Sequence, residues 1–130
     1  MAESREGQES LDELVQFINR IPGVVVVSSD VAEDGSWWVK LRIDIHHQLA
    51  WNIVQELGHI LNYLSLTKRL PTVFMPVSAP PYLNGGPEEF LYWAIESRGS
   101  QPISPHDLKT RLEFTLPRPV DNAAAWLEPR

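Results

Sequence analysis

Between Val24 and His46 the chain carries two different hydrophobic patterns, and they predict two different strands. Val24 to Ser29 opens with four consecutive β-branched residues, the pattern of a strand buried on both faces. The next segment alternates. Trp37, Val39, Leu41, Ile43 and Ile45 fall on one side, with Trp38, Lys40, Arg42, Asp44 and His46 on the other. That predicts a strand with one core face and one wetter face. Asp34-Gly35 marks a turn between the two, although the connection from Asp30 to Ser36 is longer than a two-residue hairpin.

Helical spacing surrounds this pair. Leu11, Leu14, Val15 and Ile18 predict a first helix over about residues 11–20, stopped by Pro22-Gly23. Ser10 stands three residues before Glu13, the spacing of a capping box. His47 to Leu66 predicts the strongest helix, with Ala50, Ile53, Val54, Leu57, Ile60, Leu61 and Leu64 on one stripe. Thr72 to Val77 reads as a short third strand, with Pro76 at its end or on an edge.

After the loop SAPPYLNGG, Pro87 suits the first position of a third helix with Phe90, Leu91, Ala94 and Ile95 inward. Two readings of residues 105–116 stand level. Ser104-Pro105 looks like a helix start, whereas Leu112, Phe114 and Leu116 alternate as in a strand. Asn122 to Glu128 predicts a last short helix.

The predicted order, αββαβα, is what a ferredoxin-like βαββαβ unit leaves when its first strand is removed. The fold class expected is therefore α+β: a small two-layer sandwich, with a three- or four-stranded sheet and its helices on one face. A fourth strand would come from residues 111–116 or from a second copy of the chain. Residues 1–9 read as a disordered leader, and residues 10–130 as a single domain.

Composition narrows the chemistry. The 130 residues include no Cys, which removes disulfides, thiolate metal sites and Cys nucleophiles, and fits a cytoplasmic location. The net charge is −6 and the cations are scattered, with Lys68-Arg69 the nearest approach to a cluster, so no nucleic-acid partner is expected. No apolar run is long enough to span a membrane, and the polar start MAESREGQES carries no secretory signal.

Gln55-Glu56-Leu57-Gly58-His59 is one letter from HELGH, the zinc-protease signature. That site needs two His one turn apart on one zinc ion, and Gln55 occupies the first of those positions. Gln55 and His59 also lie opposite Leu57, on the polar side of the helix with Asn52 and Asn62. The motif is read as a coincidence. Glu56 and His59 also have the spacing of half a di-iron site, but no second pair exists. The fallback metal set is Asp44, His46, His47 and His59, against the simpler reading of a polar strand-to-helix junction.

Tyr82, Asn84, Gly85 and Gly86 form the most distinctive loop, before a helix start where anions can bind. It lacks Walker spacing, and Glu88 and Glu89 already answer the helix dipole. Its simpler reading is an ordered turn; its functional one is a recognition loop. Trp37 is expected in the core, while Trp38 and Trp93 are candidate contact residues, with Tyr92 beside the latter.

No catalytic constellation is complete and no cofactor signature is present. The expectation is a non-catalytic binding or protein-interaction domain, partnered by a second copy (a homodimer) or by another protein. The alternatives are a small metal-dependent enzyme around His46, His47 and His59, or a small-ligand protein using residues 80–87.

Overall fold

The computed structural model describes residues 2–63, 71–77, 90–98 and 101–128. The elements run α1 (Ala2–Ile18), β1 (Val24–Val31), β2 (Trp37–Asp44), α2 (Ala50–Gly58) with a wide π turn at His59–Tyr63, β3 (Thr72–Pro76), β4 (Phe90–Ser97), α3 (Pro105–Thr115) and α4 (Ala123–Leu127). The four strands form one antiparallel sheet in the order β1-β2-β4-β3. Because β2 and β3 both run against β4, they are parallel to each other, and α2 carries the chain from one to the other across β4.

The sequence expectation fails at one element. Residues 90–97 are a strand, not the third helix, so the chain order is αββαββαα rather than αββαβα. β4 sits between β2 and β3, where both sides of its backbone find ladder partners. Its aromatic-rich segment, Phe90-Leu91-Tyr92-Trp93, also favours a pleated surface. The fourth strand therefore comes from this segment, and neither residues 111–116 nor a second copy is needed to supply it.

Residues 105–115 are helical. The Ser104 hydroxyl accepts the Asp107 N–H at 3.1 Å, Pro105 occupies the first turn, and Leu108 and Leu112 are buried one turn apart. The first helix reaches back to Ala2 instead of starting near Leu11. Ser10 and Glu13 keep a capping role, but for another helix. The Ser10 hydroxyl accepts the His106 N–H at 2.7 Å, and Glu13 lies 3.5 Å from His106 Nδ1, so together they fasten the start of α3 to α1.

All the helices pack on one face of the sheet. Leu11, Leu14 and Ile18 of α1, Ile53 and Leu57 of α2, and Leu108 and Leu112 of α3 join Trp37, Val39, Leu41, Ile43, Phe74 and Ile95 in a single apolar cluster. Trp126 closes it, its indole N–H donating to Val120 O at 2.9 Å. Among the described residues, no helix is long and apolar enough to cross a membrane.

Both sheet edges are fastened by asparagine. Asn62, carried by the π turn, donates to Phe74 O at 2.9 Å and accepts from Phe74 N at 2.7 Å. Asn19 Oδ1 accepts the Val26 N–H on β1 at 2.8 Å. These side chains occupy edge backbone groups that another strand would otherwise use.

Candidate functional site

Period-two alternation, applied across the register, places a defined set of side chains on the sheet face away from the helices. One cross-strand row is Asp30, Trp38, Glu96 and Val73; the next is Ser28, Lys40, Ala94 and Met75; a third holds Val25, Arg42 and Tyr92. A bulge between Val26 and Ser28 leaves Val27 without a register partner on β2. Val25 and Trp38 on this face are each about two-fifths exposed, as are Val27 at the bulge and Val77 just past β3, so this side of the sheet carries apolar surface that the described residues do not cover.

Charge is distributed unevenly over the face. In its middle, Lys40 Nζ lies 5.0 Å from the centre of the Tyr92 ring, a cation–aromatic pair internal to the chain. The hairpin end is acidic, with Asp30, Glu33, Asp34 and Glu96 against Arg98. Asp34 is held below the usual carboxylate range, first by the Ser36 hydroxyl at 2.6 Å and then by the Ser36 N–H at 3.0 Å. Glu96 Oε2 lies 3.3 Å from Arg98 Nε. That oxygen is shielded from water yet outside hydrogen-bond geometry, so the ion pair leaves it short of a donor.

Beside Trp38 the surface dips into a hollow of about 210 Å³, with Asp30, Ser36, Trp38, Glu96 and Arg98 around it. Larger hollows, of about 390, 420 and 580 Å³, lie along α3 and the segment after it. They are open to solvent, and none sets an aromatic ring between carboxylates on neighbouring strands. The hollow at Trp38 does.

The other sequence candidates are dispersed. As a strand residue Trp93 parts from Tyr92 and turns to the helix side, where its ring stacks on Phe74 at 4.6 Å and 9°. Its indole N–H is buried without an acceptor among the described residues. Tyr82, Asn84, Gly85 and Gly86 lie outside the described residues.

The histidines serve local structure. Asp44 Oδ1 accepts the His46 N–H at 2.9 Å, and His47 Nδ1 accepts the Leu49 N–H at 3.1 Å. The His47 ring packs against Gly23, whose φ of +78° and close approach leave no room for a β-carbon. Gln55 on α2 and His59 at the start of the π turn are exposed, while Leu57 between them is fully buried. No group of three or more His, Cys, Asp or Glu among the described residues is placed to hold a metal ion.

Asp30 and Glu96 were absent from the sequence candidates. The hydrophobic pattern places Asp30 in the connection before β2 and Glu96 in a helix. Reading residues 90–97 with period two sets Glu96 on the Trp38 side, and that was the available signal. The sequence matches no protein-family model, and no curated protein or solved structure is significantly similar to it.

Proposed function

We propose that this protein is a non-catalytic protein-binding module whose contact surface is the open face of the sheet, and that its partner presents a basic segment. The observation that carries this reading is the combination of exposed Val25, Val27, Trp38 and Val77 with an acidic hairpin end. Apolar surface of this kind, rimmed by charge, is what binding faces leave uncovered. Complementary charge selects and steers a basic partner. A second copy would instead carry the same net charge of −6 and offer no basic complement to the acidic end.

The test is a pair of titrations followed by NMR, one with a Lys/Arg-rich peptide and one with its Asp/Glu counterpart. The basic peptide is expected to shift resonances of Val25, Val27, Trp38 and Met75 and leave the helix layer still. Equal response to both peptides, or shifts confined to α1 and α3, would remove the proposal. Shifts on the same face that follow protein concentration without peptide would replace the basic partner with a second copy.

A further inference from the structure

We infer that the hollow beside Trp38 is a pocket for one guanidinium group, an arginine side chain presented by the partner. The inference rests on the reading of the open face given above and adds the chemistry of its specific contact. Four observations converge on it. The register sets Trp38 between Asp30 on one neighbouring strand and Glu96 on the other, so the ring has a carboxylate on either side. A planar cation can then stack on the indole while its edge N–H groups reach an acid.

Size is the second observation. A volume of about 210 Å³ is below the roughly 300–1,000 Å³ typical of small-molecule sites, and it suits a single projecting side chain. The third is Glu96 itself: Oε2 has lost water without gaining a hydrogen bond, which a correctly placed guanidinium would supply. Fourth, the chain's own Arg98 already stands at 3.3 Å from that oxygen while remaining largely exposed (69%), so it can be displaced. The neighbouring row shows the same chemistry already satisfied, since Lys40 covers Tyr92. Asp30 accepts the Val31 N–H on Oδ1 at 2.9 Å, which leaves its other carboxylate oxygen for a cation.

The experiment is titration of the full chain with a blocked Gly-Gly-Arg-Gly-Gly peptide, reading the Trp38 indole N–H resonance and tryptophan fluorescence. Peptides with Lys or Gln in place of Arg serve as comparisons. The arginine peptide is expected to bind best and the glutamine peptide not at all. Glu96→Gln should weaken binding about three- to tenfold, and Trp38→Leu should abolish it. Arg98→Ala should tighten binding, because it removes the internal competitor, and the gain should be larger for the arginine peptide than for the lysine peptide; charge attraction alone would favour both equally.

Binding by the glutamine peptide as strong as by the arginine peptide would overturn the pocket. So would an Arg98→Ala variant that binds no better than the parent. Each variant is first shown to melt like the parent. If the pocket fails while the basic peptide of the preceding section still shifts Val25, Val27 and Met75, the open-face reading stands without it. If both fail, the binding-module reading falls as well.

Discussion

Trp37 and Trp38 are the same residue at adjacent positions, and the sheet treats them as different materials. Trp37 points to the helix layer, is 2% exposed, and donates its indole N–H to Ile103 O at 2.7 Å. Trp38 points the other way, is 39% exposed, and stands over a hollow lined by acids. Alternation alone decides which ring belongs to stability and which is available for binding. The two faces of this sheet therefore separate the two tasks, and mutations should separate them too.

The largest effect expected is at Trp37. Trp37→Ala should cost about 3–5 kcal/mol in urea unfolding, since it opens a cavity and leaves a part-buried carbonyl without its donor. Trp38→Ala should cost well under 1 kcal/mol by the same measurement. Comparable losses at both positions would mean that the open face is covered, and the separation of tasks would collapse. Leu57→Ala, in the middle of the QELGH helix, belongs with Trp37: Leu57 is fully buried, and a loss of about 2–5 kcal/mol is expected.

The contrast between β2 and β4 also explains what the sequence could show. β2 faces a packed layer on one side and solvent on the other, so its alternation is visible. β4 is central as β2 is and has the same two faces, but its outward positions are not clearly polar: Ala94 is 6% exposed and Tyr92 is half-buried. Phe90 to Ile95 therefore reads as an unbroken apolar run, the case in which periodicity cannot separate strand from helix. Pro87-Glu88-Glu89 then tips the reading toward a helix start. Once that element was misread, Tyr92 and Trp93 appeared to share a face, and Glu96 lost its place beside Trp38. By contrast, side-chain capping at the strand-to-helix junction is legible in part, because it needs only backbone N–H groups nearby: Asp44 and His47 accept such groups, while His46 contributes its own N–H.

Edge protection offers a sharper test at intermediate size. Asn62 makes two hydrogen bonds to Phe74 on β3, while Asn19 makes one to Val26 on β1. Asn62→Ala is expected to cost about 1–2 kcal/mol and Asn19→Ala about half as much, read by thermal or urea unfolding. Light scattering near the melting temperature should rise more for Asn62→Ala, because it re-exposes a strand edge. Equal, negligible effects would mean that the edges are held by packing alone.

His59→Ala should change stability by no more than about 0.5 kcal/mol, as expected for an exposed helix position. A chelator should leave the melting temperature of the parent unmoved. A drop after chelation, matched by the same drop in His59→Ala, would return residues 44–59 to consideration as a metal site.

The smallest effect concerns pH at the acidic end. Asp34 is held below its usual value by the hydroxyl and N–H of Ser36, so its pKa is lower in the folded protein than in the unfolded chain. Such a group adds stability above the unfolded pKa, and that contribution is lost as pH falls through the folded one. Asp34 is fully exposed, so solvent screening keeps the effect small. Asp34→Asn should therefore match the parent most closely at strongly acid pH and fall slightly behind it as pH rises toward neutrality. If the two stability curves separate only above pH 6, the Ser36 turn is not their cause. The same lowering keeps Asp34 itself ionised in mild acid, so its share of the attraction for a basic peptide should persist at pH 5. Loss of that attraction near pH 6 would point instead to a histidine on the partner.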